Sequence, residues 1–335
     1  MLVMDWVKES RWTTPEIIPY SSFCIDPAST VFHYALSCFE GMKAYLDDYN
    51  QIRLFRPEMN MRRLKHSADR LVMECPDEDL MLDCIKQLIK VDRDWIPEGF
   101  GYSLYIRPTL ISTYPFLGVA PSEQTKFFTI MCPVGPYYAT GFKAVSLLAD
   151  DKYVRAWRGG AGGYKIGANY APTIKAQREA AAKGFAQVLW LFGDDLQVTE
   201  VGTMNQFFFW KTPSGEKELI TAPLEDGTIL PGVTRDSILA LCREWDEFKV
   251  TERRFSIHEV IDAIKSGRML EAFGSGTAAI VSPVKNIHFK GSDYPIPLDR
   301  TDPIQQAGLL AQRISKTILE IQYGKVEHPW SVIVK

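Results

Sequence analysis

The sequence predicts an α+β fold in two domains, and three observations predict it. The chain has 335 residues, more than a single hydrophobic core usually organises. A Pro/Gly cluster, Pro133-Val134-Gly135-Pro136, interrupts it after a first block of short strands and two helical patterns. The second block is strand-rich with interspersed helices and lacks the regular βαβα alternation of a doubly wound sheet. The domains are therefore expected at 1–138, a smaller N-terminal α/β domain, and at 147–335, joined by a linker over 139–146.

The elements follow in order. Met1–Val7 reads as a strand. Pro57–Cys75 carries Met61, Leu64, Ala68, Leu71 and Val72 at helical spacing, with proline at its start. Leu80–Trp95 repeats the pattern and ends before Pro97. Tyr102–Ile111 and Phe127–Cys132 are strand-like. Beyond the boundary, Ala144–Ala149 reads as a strand. Pro172 opens an alanine-rich helix, Thr173–Lys183, which Gly184 closes. Gln187–Phe192 and Gln197–Val201 are strands around the turn Gly193-Asp194-Asp195. Gln206–Lys211 and Glu218–Thr221 flank Pro213-Ser214-Gly215 as a hairpin. Helices are expected at Val233–Trp245, Glu259–Lys265 and Gln305–Gln322.

Composition narrows the function. Hydrophobic residues make up 46% and charged residues 24%, as in ordinary water-soluble globular chains. A net charge of −3 gives no reason to expect nucleic acid or an acidic membrane as partner. No apolar run is long enough to span a bilayer. The six cysteines are dispersed and form no C-x-x-C, so reduced thiols are expected. The five histidines are scattered, so no metal site is expected. Charged residues near the N-terminus argue against a signal peptide, and a removed leader leaves a mitochondrial origin open.

The residues with chemistry begin at Lys165. It follows Gly159-Gly160-Ala161-Gly162-Gly163-Tyr164, a backbone almost free of side chains. The phosphate-loop pattern is not met, because Tyr164 and Ile166 flank the lysine. An accessible amine and one carboxylate, Glu200 in an otherwise apolar strand, are what pyridoxal phosphate chemistry needs. The carboxylate would hold the pyridine nitrogen protonated, and the amine would take the substrate α-proton. A surface lysine and an edge-strand carboxylate are the bland alternatives. Gly274-Ser275-Gly276-Thr277-Ala278 resembles a dinucleotide fingerprint only superficially, since strand-like Ile280-Val281-Ser282-Pro283 follows instead of a helix. It reads better as a loop cradling an anion. Pro231-Gly232-Val233-Thr234 opens a helix whose N-terminus also favours an anion, and Arg63 offers a guanidinium. Tyr170 could hydrogen-bond the cofactor ring oxygen.

Taken as a set, these segments resemble the branched-chain amino acid aminotransferases of the D-alanine-aminotransferase-like class, fold type IV. The resemblance covers essentially the whole chain and is nearest to eukaryotic members. It rests on Tyr34–Tyr45, Leu54–Pro57, Asn60–Arg63, Leu104–Pro108, the Lys165 loop, Thr199–Asn205, Leu230–Thr234 and Gly274–Ala279. It implies pyridoxal 5'-phosphate as cofactor, Lys165 as the Schiff-base lysine in the larger C-terminal domain, and Glu200 as partner of the pyridine nitrogen. Tyr170 would meet the ring oxygen. Arg63, Val233, Thr234 and Thr277 would form the phosphate cup, with Arg155 assisting. Thr277 and Ala278, helped by Tyr34, would receive the substrate α-carboxylate. Phe39, Tyr105, Tyr137 and Thr203 would line the side-chain pocket, and Leu117 and Val119 would come from the second subunit of a homodimer. Arg107 would receive the distal carboxylate of glutamate. Many animal members carry a C-x-x-C switch after the carboxylate loop; here Ala279 and Ser282 stand there.

The implied reaction moves the amino group of L-leucine, L-isoleucine or L-valine to 2-oxoglutarate, in the cytoplasm or the mitochondrial matrix. D-amino acid transaminases and aminodeoxychorismate lyases share this fold, and a non-catalytic small-molecule binder is the remoter alternative.

Overall fold

The computed structural model describes residues 1–137, 142–299, 301 and 306–335. It resolves into two compact units, each α+β. The first comprises Met1–Pro136, Tyr164–Tyr170 and Leu319–Lys335; the second comprises Tyr137–Gly163 and Ala171–Ile318.

The first unit contains β1 (Leu2–Val7), β2 (Arg11–Trp12), β3 (Glu16–Ile17), α1 (Thr30–Tyr34), β4 (Ser37–Phe39), β5 (Met42–Leu46), β6 (Ile52–Phe55), α2 (Pro57–Arg70), α3 (Glu78–Val91), β7 (Ser103–Ser112) and β8 (Gln124–Val134). Its sheet runs from the C-terminal strand Ser331–Ile333 through β6, β5, β7 and β8 to β1 and β2, with β4 on β7 and β3 on β1. Pro57 fixes the first turn of α2, and Asp77 caps α3 by accepting from the backbone N–H groups of Asp79 and Leu80. Leu54, Met61, Leu64, Leu88, Ile106 and Phe127 are buried in the unit's core. α2 stops at Arg70, short of the expected Cys75. Val72 adopts a left-handed φ of 53°, and Pro76 disfavours helix at the residue before it.

The second unit contains β9 (Val145–Asp150), α4 (Thr173–Ala182), β10 (Gln187–Phe192), β11 (Gln197–Val201), β12 (Met204–Lys211), β13 (Lys217–Thr221), α5 (Val233–Trp245), β14 (Lys249–Glu252), α6 (Ile257–Lys265), β15 (Met269–Gly276), β16 (Ile280–Phe289) and β17 (Ser292–Pro295). The helix Leu309–Gln322 follows. The strand order is β11-β10-β9-β16-β15-β12-β13-β14, and β11 also pairs with β12. That extra pairing closes the first six strands into a ring. Closure covers the free edge of β11 and fixes the β11–β12 turn in register. Leu147, Leu189, Phe208, Trp210, Phe255 and Val260 belong to its apolar core. A reciprocal capping box between Ser256 and Glu259 starts α6.

Four segments fall elsewhere than the sequence reading places them. Ser331–Ile333 pairs antiparallel with β6, so the tail belongs to the first unit. Tyr164–Tyr170, with Lys165, also belongs there, through a bridge between Cys38 and Ile166. Residues 145 and 146 of the expected linker already form β9, while 139–141 lie outside the described residues. Gly274 and Gly276 are strand residues of β15, so the expected anion loop shrinks to the turn Thr277–Ala279.

Candidate active site

In the first unit, Lys165 is held by its own backbone before its side chain is considered. Its N–H donates to the buried Ser67 Oγ of α2 at 2.8 Å, and its carbonyl accepts from Phe39 N of β4 at 3.1 Å. Two fixed backbone groups on either side of one Cα leave little play in where the side chain starts. The amine then lies 3.1 Å from the Tyr170 hydroxyl and 4.8 Å from the centre of the Phe39 ring. Arg107 stands over the same ring, also at 4.8 Å, and donates from Nη2 to the Tyr105 hydroxyl at 2.8 Å. Among the described residues its Nε is buried with no hydrogen-bond partner. Gly41 is required here, because a Cβ would collide with the Tyr105 hydroxyl.

Arg63 of α2 reaches Glu40, in the turn between β4 and β5, through Nε at 2.6 Å and Nη2 at 2.8 Å. Asn60 donates to the same carboxylate at 2.8 Å. Both charged side chains are buried. Burial alone would raise the Glu40 pKa, but the Arg63 charge and hydrogen bonds, Lys165 and Asn60 outweigh it and bring it below its ordinary value. Burial likewise disfavours the Arg63 charge, and Glu40 more than restores it. Glu40 lies within the segment Tyr34–Tyr45 that carries the resemblance, yet no local signal links it to a residue 23 positions away.

In the second unit, Glu200 sits near the end of β11 with its side chain 2% exposed. Oε2 pairs with Arg155 Nε at 2.7 Å, and Oε1 accepts from Leu230 N at 2.8 Å and Asn205 Nδ2 at 3.2 Å. Arg155, expected at the phosphate cup, is thus placed on Glu200. Asn205 also donates to the Leu230 carbonyl at 2.9 Å, tying β12 to the chain entering α5. Gly232 caps α5 without a side-chain bond, and a Cβ there would run into Asn205. Val233 and Thr234 occupy the first turn of α5, where backbone N–H groups point outward and favour an anion. The register Asn205↔Ser275 puts the turn holding Thr203 beside the turn holding Thr277 and Ala278.

Tyr34 closes α1, partly exposed, with its ring 6.2 Å from His33. Leu117 and Val119 are 71% and 86% exposed. Tyr137 is exposed and belongs to the second unit. Among the described residues no cluster could hold a metal ion, and no helix is long and apolar enough to cross a membrane.

The donor set fits pyridoxal phosphate. The first unit supplies a lysine amine next to a phenol, and the second supplies a buried carboxylate contacted by three donors and a glycine-capped helix start. Residues 37–287 match the profile of the amino-transferase class IV family. The branched-chain-amino-acid aminotransferase of Dictyostelium discoideum is 56% identical over 334 residues, covering 100% of this chain and 87% of that protein. The cytosolic one of Saccharomyces cerevisiae is 52% identical over 339 residues, covering 100% of this chain and 89% of that protein. Relatives named as mitochondrial occur as well. A crystal structure of the T.th. branched-chain amino acid aminotransferase with pyridoxamine 5'-phosphate matches with a TM-score of 0.76 at 25% identity, covering 99% of this chain and 98% of that one. By the extent of these matches, the chain belongs to the class IV aminotransferases, among the branched-chain-amino-acid aminotransferases.

Proposed function

We infer that the protein transfers the amino group of L-leucine, L-isoleucine and L-valine to 2-oxoglutarate, giving branched-chain 2-oxo acids and L-glutamate with pyridoxal 5'-phosphate as cofactor. The observation that carries this reading is the Phe39 ring with a lysine amine and an arginine guanidinium each 4.8 Å from its centre. Such a wall accepts an aliphatic side chain and keeps a cation at hand for a carboxylate.

When bound, the cofactor supplies an electron sink for the bond to the substrate α-proton. The chain's own residues do the rest. The Lys165 amine takes the α-proton and returns it, with Tyr170 holding the amine at 3.1 Å. In the second unit we assign Glu200 to the pyridine nitrogen, with Arg155 orienting its carboxylate at 2.7 Å. We assign Val233, Thr234 and Thr277, and in the first unit Arg63, to the phosphate, with Glu40 and Asn60 aligning the Arg63 guanidinium. Tyr34 and the turn Thr277–Ala278 receive the α-carboxylate; Phe39, Tyr105, Tyr137 and Thr203 meet the substrate side chain; Arg107 takes the distal carboxylate of glutamate. The exposed Leu117 and Val119 support a homodimer, since a second copy would cover them.

The test incubates purified protein loaded with pyridoxal phosphate with L-leucine and 2-oxoglutarate and measures glutamate formed. D-alanine in place of L-leucine should give none. Turnover of D-alanine without L-leucine would reassign the enzyme within its fold.

A further inference from the structure

Helix α5 presents its first turn, with Val233 and Thr234, at the end of the loop that leaves β13. Its apolar face, with Ile238, Leu239, Leu241 and Cys242, is buried. Apolar burial is non-directional, so it decides which face of the helix packs more than where along its axis the helix stops. Directional contacts set that position, and α5 has a pair of them. Arg235, the third residue of the helix, has a side chain 2% exposed and donates from Nη2 to Glu252 Oε2 at 2.6 Å and to the Ala222 carbonyl at 2.8 Å. Arg243, in the last turn, donates from Nη2 to the other carboxylate oxygen, Oε1, at 2.7 Å.

One carboxylate of β14 thus takes an arginine from each end of the same helix, at points about 12 Å apart along a helix axis. Glu252 is itself fixed, since it stands opposite Thr221 in the parallel pairing of β13 with β14. Ala222 follows Thr221, so the Arg235 guanidinium joins the ends of both strands to the first turn of α5. Burial raises the Glu252 pKa, but the hydrogen bonds and charges of Arg243 and Arg235 bring it below its ordinary value, so the carboxylate is ionised near neutrality. All of these residues lie in the second unit.

We infer that Glu252 is a positioning residue for the phosphate end of the cofactor, acting through Arg235 and Arg243 on the first turn of α5. The inference rests on the transaminase reading above and its assignment of Val233 and Thr234 to the phosphate. Hydrogen bonds from a helix start to an anion weaken steeply with distance and angle. A helix held only by its apolar face could slide or tilt by a fraction of a turn and stay packed. Its N–H groups would then meet the phosphate poorly. Glu200, assigned to the pyridine nitrogen, sits on a different element, β11, and would move less.

The experiment takes the whole chain freed of cofactor and measures, by absorbance titration, its dissociation constants for pyridoxal 5'-phosphate and for pyridoxal, which lacks the phosphate. The parent is compared with Glu252→Gln and Arg243→Met, and denaturant unfolding of each runs in parallel. Glu252→Gln should weaken pyridoxal 5'-phosphate about ten- to hundredfold, the span of one hydrogen bond to a charged group, and leave pyridoxal within about threefold. Arg243→Met removes the more exposed arm and should weaken pyridoxal 5'-phosphate selectively by about two- to fivefold, the span of an exposed ion pair. Equal weakening of both ligands by a folded Glu252→Gln would mark a merely structural role and overturn the inference; so would no weakening. Should that variant not fold, Arg243→Met decides, and an unchanged ratio of the two constants would overturn the inference. Failure of the transaminase reading looks different: the parent itself would not prefer pyridoxal 5'-phosphate over pyridoxal, and this inference would fall with it.

Discussion

Arg155 and Glu200 meet at 2.7 Å with side chains only 4% and 2% exposed, a full ion pair inside the second unit. Removing two charges from water is costly, and breaking such a pair leaves one of them buried alone. The pair survives because Glu200 also accepts from Leu230 N and Asn205, so its charge is spread over several fixed donors. A guanidinium that neutralised its partner for stability alone could be replaced by apolar packing. One that orients a carboxylate toward a cofactor could not.

This distinction is testable. Arg155→Met should lower stability by about 3–5 kcal/mol, the cost of an uncompensated buried charge, and denaturant unfolding measures it. Glu200→Gln should keep the cofactor, because the residues assigned to its phosphate are unchanged. Catalysis should fall by roughly two to four orders of magnitude, the scale of losing one preorganised electrostatic group. Near-normal half-reaction rates in Glu200→Gln would remove Glu200 from the pyridine nitrogen.

Lys165→Ala should bind the cofactor without the absorption band of a lysine-linked form and lose nearly all turnover. In the proposed mechanism the amine beside Tyr170 moves the α-proton, and alanine cannot replace it. Wild-type rates in the variant would end the assignment.

Much of this is legible in the sequence because it is local. Gln187–Phe192, Gln197–Val201 and Val233–Trp245 fall where apolar period and turn residues put them. Lys165, Tyr170 and Glu200 stand out as candidates through residue type and surroundings. The rest depends on partners far along the chain. Ser331 pairs with Phe55, Glu40 with Arg63, and Arg155 with Glu200. A strand of three residues such as Ser331–Ile333 carries too little period to reveal itself, and nothing in the sequence says which carboxylate a given arginine will meet. The overextended α2 has a local cause: Leu71 and Val72 keep the apolar spacing after the backbone has already turned.

Thiol reagents should label Cys24 and Cys132 first, since both are exposed. Cys38 and Cys242 should resist, because burial raises both thiols, Cys242 to about 12, and the thiolate is the reactive form. Peptide mass spectrometry after brief alkylation of the native protein reads the order. Early labelling of Cys38 would mean that β4 opens readily.

Arg107→Met should separate the two half-reactions. Methionine keeps an apolar stem against Phe39 and removes the charge. Glutamate and 2-oxoglutarate should lose about 1.5–3 kcal/mol of transition-state binding, and leucine far less. Equal losses in single-turnover kinetics would make Arg107 structural, with its bond to Tyr105 as its purpose.

Glu40 gives the protein an acid limit whose sign follows from its surroundings. Its folded pKa lies below the ordinary 4.5: burial pushes it up, but the Arg63 charge and hydrogen bonds, Lys165 and Asn60 push it down further. A depressed folded pKa means that the unfolded chain binds more protons on the acid side. The contribution of Glu40 to stability is therefore complete above the unfolded value and is lost as pH falls through the folded one. Glu40→Gln should remove this term. At neutral pH it should be less stable by about 3–5 kcal/mol, because Arg63 is left buried and charged without its partner. Below the usual carboxylate range the gap to the parent should narrow, since the parent carboxylate is then protonated as well. Denaturant unfolding of both proteins from neutral to acid pH checks this. A gap that stays constant with pH would mean that the Glu40–Arg63 contact is held by shape and not by charge.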